Sequence, residues 1–178
     1  MVAAPETEES RTFKYYQEDF EITLDDLVGK RILDLACGSN PKFLNYCLDN
    51  GIDIVGLDYR PQTGLKAQRK RYVQGNILKP PFKDESFDLI FLRALPPRPE
   101  VPLLKMVKRA TPLLKIAGFL MVAPLFMETN SLHHMQVLDV FNNALAIGAD
   151  VNIIENKKIG YLSLREPVRC TLVIKKVS

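Results

Sequence analysis

No run of apolar residues in this chain approaches the roughly 18 that a membrane-spanning helix requires, and its start lacks the charged-then-apolar pattern of a secretory signal. Neither membrane insertion nor export is expected, and the expected compartment is the cytoplasm. Cysteine is sparse: Cys37, Cys47 and Cys170, an odd number without Cys-x-x-Cys spacing. That set excludes a disulfide scaffold and reads as reduced, mostly buried thiols. Histidine is sparser still. His133 and His134 have no Cys, Asp or Glu at ligand spacing, so no metal site is expected. Adjacent helical residues point about 100° apart, so at most one of the two could act as a base. A solvent-facing or capping role is the simpler reading. An excess of one charge is missing too: the formal net charge is +3, little for a nucleic-acid binder. There is no internal repeat and no low-complexity linker.

What the chain does contain is the stretch Arg31-Ile-Leu-Asp-Leu-Ala-Cys-Gly-Ser-Asn-Pro41. Its first half is a short apolar run, the pattern of a strand buried on both faces of a parallel sheet. Its second half reads as a tight turn in which Gly38 is conformationally free and Asn40 tolerates a left-handed backbone. Pro41 suits a helix start. Strand, small-residue turn and helix together aim backbone N–H groups at a ligand. A dinucleotide fingerprint would need Gly-x-Gly-x-x-Gly; the positions read Ala36, Gly38 and Pro41, and two of the three fail. A second run, Ile52-Asp-Ile-Val-Gly-Leu-Asp58, ends on an acid 20 residues beyond Gly38, the separation at which a carboxylate reaches a ribose diol. A third, Tyr72-Val-Gln-Gly-Asn-Ile77, leads through Leu78-Lys-Pro-Pro-Phe82 to Ser86-Phe-Asp-Leu-Ile-Phe-Leu92.

These three pieces, in this order, resemble the motifs of the class I S-adenosylmethionine-dependent methyltransferases. In the first, Asp34, Ala36, Gly38 and Asn40 stand where the family has an acid and alternating glycines; in the third, Asn76 replaces the family's aspartate. The resemblance implies S-adenosyl-L-methionine as cofactor. It places the cofactor among Asp34, Ala36, Cys37, Gly38, Ser39 and Asn40 of the turn; Asp58 and Tyr59; Gly75, Asn76 and Ile77; and the Leu92–Arg93 main chain. Asp58 would hold the ribose, Tyr59 would lie against adenine, and Asn76 would accept from its amino group. Cys37 is read as small and packed rather than reactive. The implied fold is α/β, a Rossmann-like, doubly wound, seven-stranded, mostly parallel sheet with a C-terminal antiparallel strand. The final runs, Val151–Ile154 and Val168–Val177, have no helical pattern between them and fit that antiparallel ending.

At 178 residues one domain is expected, long enough to bury more than half of its unfolded surface. Residues 1–10, acidic and small, are expected to be disordered. Residues 11–178 form the domain, and residues 11–30 are a cap segment carrying Tyr15 and Tyr16, which either touch the cofactor's methionine end or merely cover the sheet. Thr23 looks like an N-cap for a helix over 23–28. Helices are expected over Pro41–Asn50, ending at Gly51; over Val101–Thr111; and over Asn130–Ile147, with Met135, Leu138, Phe141 and Leu145 facing inward. Leu113–Gly118 resembles the family's turn before its fifth strand, here Phe119–Ala123. The basic group Lys66, Arg69, Lys70 and Arg71 reads as a solvated face, so nucleic acid is a possible but less favoured partner. After Leu92 the loop Arg93–Glu100 has Leu95 and Arg98 where methyltransferases of nucleic-acid amines carry an acceptor and an aromatic residue. Small-molecule or protein acceptors are therefore preferred to base amines. No catalytic residue is assigned, and the other reading is a catalytically silent methyltransferase-like binding protein. With no insertion large enough for a lid, a partner protein or a homodimer could wall the acceptor site.

Overall fold

A computed structural model describes residues 8–63, 71–93, 102–127, 132–155 and 168–177. The main elements in chain order are α1 (Glu8–Phe20), β1 (Arg31–Leu35), α2 (Lys42–Asp49), β2 (Asp53–Asp58), β3 (Tyr72–Gln74) and β4 (Phe87–Arg93). They are followed by α3 (Leu103–Ala110), β5 (Leu114–Met127), α4 (Leu132–Asn142), β6 (Ala149–Glu155) and β7 (Val168–Lys176). The seven strands form one sheet in the order β3-β2-β1-β4-β5-β7-β6. β7 runs antiparallel to both β5 and β6, and the remaining pairs are parallel. This is the expected doubly wound sheet with its antiparallel ending.

The central strands are nearly all apolar because both faces are covered. Side chains alternate between two cores. Leu33, Leu57, Ile90 and Leu92 face the side of α3 and α4, where Val107, Val137 and Val140 meet them. Ile32, Ile54 and Phe91 face the side of α1 and α2. There the cap segment is a helix whose aromatic residues pack into the sheet: Tyr16 stacks on Phe43 with ring centroids 3.6 Å apart, and Phe20 lies 4.8 Å from Phe91.

Four local expectations change. The helix over 23–28 reduces to a single 3-10 turn at Asp25–Leu27; Thr23 does bond Asp26, but the chain turns extended at Val28 and left-handed at Gly29 (φ 74°). Pro41 caps α2 from outside rather than opening it, and Gly51 ends it in a left-handed conformation (φ 75°). The stretch before Phe119 is already strand: β5 starts at Leu114 and bulges around Ala117 (φ 63°) and Gly118. A Cβ at Gly118 would lie 2.9 Å from the Lys115 carbonyl and 3.0 Å from that of Asp88, so only glycine fits. In α4 the expected inward face points out. Val137 and Val140 are buried, whereas Met135, Leu138, Phe141 and Leu145 are exposed. Both faces of that helix are apolar, and spacing alone does not choose between them.

Lys66, Arg69, Lys70, Leu95, Arg98 and most of residues 1–10 lie outside the described residues; α1 begins at Glu8. Arg71 pairs with Asp53 at 3.1 Å on the surface. No described helix is long and apolar enough to cross a membrane.

Candidate functional site

The carboxyl ends of β1, β2 and β4 lie side by side, with Leu35 paired to both Leu57 and Leu92, and β3 adds Gln74 beside Asp58. From β1 the chain winds one way to β2 and β3, and from β4 the other way to β5. The reversal opens a crevice at these tips, the usual ligand seat of an open α/β sheet. The ends of the first two motif stretches meet here with Gly75 and the end of β4, whereas Ser86 and Phe87 stand at the far end of the sheet.

Asp34 is 1% exposed. Its two oxygens accept the Tyr16 hydroxyl at 3.0 and 3.2 Å. Burial pushes its pKa up to about 7, against the opposing pull of that hydrogen bond and of Arg93. Burial, and then the neighbouring Asp34, also push the Tyr16 hydroxyl well above its usual range. Tyr16 therefore covers the sheet and holds the motif acid.

The turn after β1 is tied to β2. The N–H groups of Ala36 and Cys37 donate to the Leu57 carbonyl at 2.8 and 3.3 Å, and that of Gly38 to Asp58 Oδ2 at 2.9 Å. The expected cradle of free N–H groups is thus only partly available: three of them are spent on the fold. Ser39 offers its carbonyl to the Thr63 N–H at 2.7 Å. Cys37 packs on Gly56, where a Cβ would come 2.7 Å from its sulfur, and burial pushes its thiol far upward. This is a packed residue, not a nucleophile. The left-handed positions are Ala36 (φ 60°) and Gly38 (φ 83°), and Asn40 is not among them. Ala36 carries a strain of about 1–2 kcal/mol that glycine would not, partly offset by glycine's greater chain entropy. Ala36→Gly should therefore raise stability by up to about 1 kcal/mol, read as a higher urea midpoint at unchanged slope.

Asp58 is 2% exposed and fully engaged. Besides the Gly38 N–H, it accepts the Arg60 backbone N–H and Nε, both at 3.0 Å on Oδ1, and Nη2 at 3.4 Å on Oδ2. Burial alone would raise its pKa, but the Arg60 and Gly38 bonds outweigh it and hold the carboxyl below its usual range. The Arg60 side chain is 48% exposed and lies over the turn, 3.5 Å from where a Gly38 Cβ would stand. Tyr59 is 72% exposed, with the same guanidinium 5.6 Å from its ring centroid.

The Gly75 N–H donates to the Asp58 carbonyl at 2.8 Å. Asn76 is exposed, and its Oδ1 accepts the Leu78 N–H at 2.8 Å, so one of the lone pairs expected to face a ligand is spent on a local turn. Ile77 is half-buried against the core. Leu92 is buried. The Arg93 side chain turns under α1: its Nε donates to the buried Asp19 at 2.7 Å, and its guanidinium lies 5.5 and 5.3 Å from the ring centroids of Tyr15 and Tyr16. Sequence reasoning missed Asp19 and Arg60. Arg60 had one signal, a cation two residues beyond the strand-end acid; Asp19 had none.

Among the described residues no cluster of three metal-ligating side chains occurs. His133 and His134 stand in the first turn of α4.

No curated protein matches this sequence. Solved structures of similar fold include an S-adenosylmethionine-dependent methyltransferase from Archaeoglobus fulgidus, 15% identical, with 94% of this chain and 92% of that one covered and a TM-score of 0.59. A chain from the complex of the Haloferax volcanii Trm112 methyltransferase activator with a methyltransferase is 14% identical, with 96% and 94% covered and a TM-score of 0.61. The cyclase SpnF is 15% identical, with 95% and 80% covered and a TM-score of 0.64. At such identities the likeness concerns the fold alone. The model of the methyltransferase domain matches residues 33–121, half of the chain and all of the crevice from Asp34 to Arg93. The chain belongs to this methyltransferase-domain family and has the class I fold.

Proposed function

We propose that the crevice binds S-adenosyl-L-methionine and that the protein transfers the methyl group to an acceptor, a small molecule or a protein in preference to a base amine. The observation that carries this reading is Asp58: a buried, ionised carboxylate at the tip of β2, beside the Gly38 turn and an exposed Tyr59. The residues fit the cofactor. Asp58 would hold the ribose diol, with the half-exposed Arg60 as the displaceable partner. The Tyr59 ring is free to lie against adenine, and Asn76 and Ile77 stand at that end. Gly38, Ser39 and Asn40 allow close approach of the turn. The Arg93 main chain would close the methionine end, above the buried Tyr16–Asp34 pair.

When bound, the cofactor supplies a methyl group already activated by its sulfonium. The chain's own task is then alignment and exclusion of water, and orientation alone is worth about 7–11 kcal/mol in favourable cases. No base is required unless the acceptor is poorly acidic, and none is assigned. A second protein or a second copy of the chain would supply the wall facing the acceptor. Three free thiols suit a reducing cytoplasm.

Isothermal titration with S-adenosylmethionine and its demethylated product is the test. Saturable binding of both at one site per chain is expected, and absence of heat with either refutes the assignment. Binding of both without turnover on any acceptor class would favour the catalytically silent reading.

A further inference from the structure

The outward face of α4 is apolar at helical spacing. Met135, Leu138 and Phe141 are 55%, 43% and 37% exposed, and Leu145, in the turn that follows the helix, is 96% exposed. Single exposed apolar residues need no explanation, but three along one helix and a fourth in the turn that follows make a stripe of the kind that marks an interaction site. A surface helix ordinarily turns a polar face to water. This one buries Val137 and Val140 on its inner side and remains apolar on its outer side.

The stripe continues into a groove. Asp139 lies one helical turn from Met135, and with Leu104, Lys105, Lys108 and Arg109 of α3 it lines a groove of ≈ 630 Å³ between the two helices. The three cations are exposed and have no ion pair among the described residues, and Asp139 is the one acid in the groove lining. Lys108 and Arg109 sit in the last turn of α3, where the helix dipole favours them. The dipole gives no such reason for Lys105, which stands in the first turn of α3, a turn that holds no acidic residue.

We infer that the α3–α4 face docks an acidic amphipathic helix of another protein, with the partner's apolar residues on the α4 stripe and its carboxylates on the α3 cations. Charge complementarity selects this occupant. Two copies of this chain would set cations against cations, with Asp139 alone to balance them. A nucleic acid would satisfy the cations but leave Met135, Leu138 and Leu145 facing phosphates. The inference is independent of what the crevice binds, because none of these residues belongs to it.

The test is fluorescence anisotropy on the full chain with a labelled helical peptide carrying leucine at i, i+3, i+4 and i+7 and glutamate elsewhere. The controls are a scrambled peptide of the same composition, a leucine–lysine version and an oligouridylate. The leucine–glutamate helix should bind at least about tenfold more tightly than any control, and more weakly at high salt. Leu138→Gln and Lys105→Glu, both at exposed positions, should each lower that affinity at least about tenfold with the circular dichroism spectrum unchanged. Equal binding of the scrambled peptide or tighter binding of the oligouridylate overturns the inference. So does a dimer by sedimentation that Leu138→Gln abolishes.

Discussion

Asp58→Ala will lower the affinity for S-adenosylmethionine at least about tenfold while the protein still unfolds cooperatively. A hydrogen bond to a charged group contributes about 1.5–3 kcal/mol, or roughly ten- to a hundredfold in binding. The substitution also releases the Gly38 N–H and the Arg60 guanidinium, both now held by that carboxylate. Titration calorimetry measures it, and an unchanged affinity refutes the ribose assignment. Arg60→Ala should act in the opposite direction. It removes the cation that competes with the ribose for the same two oxygens, so binding should tighten. If it weakens binding as much as Asp58→Ala does, the guanidinium belongs to the binding surface instead.

Asp34→Asn has a larger effect on stability, and one that depends on pH. The folded-state pKa of Asp34 is raised to about 7, above its ordinary 3.8. Below pH 4 the group is protonated whether the chain is folded or not, and its contribution is fully present. As pH rises from about 4 to 7 the unfolded chain ionises while the folded one keeps its buried carboxyl protonated, so stability falls, by up to about 4 kcal/mol in all. Asp58 and Asp88, whose pKa values are lowered, act with the opposite sign and at the acid end, losing their contribution as pH falls below 3.8. Asparagine keeps an acceptor for the Tyr16 hydroxyl and carries no charge. The variant should therefore melt on the order of 10 °C higher than the native protein at pH 8 and at nearly the same temperature at pH 3. An equal difference at both pH values would mean that Asp34 does not titrate in this range. A buried acid kept at such a cost is the mark of a site under functional constraint.

The parts of this structure that were legible in the sequence are those whose chemistry is local. β1 and β2 announce themselves because a strand covered on both faces has few polar positions, and the acid at each tip interrupts that pattern. The antiparallel ending was legible because no helix-length pattern separates the last two strands. The orientation of α4 was not, since Met135–Leu138 and Val137–Val140 are equally apolar and only the packed sheet chooses between them. Nor was the state of Asp58: its occupation by Arg60 depends on a folded loop held by the Tyr72 hydroxyl on the Arg60 carbonyl and by Gln74 on that of Tyr59. Ala36 misled in a third way. Asn40 was the residue suited to a left-handed backbone, yet the geometry put the reversal two residues after Asp34, on a side chain that resists it.

Among the described strands, the last in chain order is not the last in space. β7 lies inside the sheet, between β5 and β6. During synthesis β6 emerges before the neighbour it needs, and this half of the sheet stays open until β7 has left the ribosome. For that interval β5 and β6 present two bare edges to each other and to any other nascent chain. Completion of this domain is thus a closing insertion rather than an end-on addition, and the burden of protecting the half-built sheet falls on whatever meets it at the ribosome.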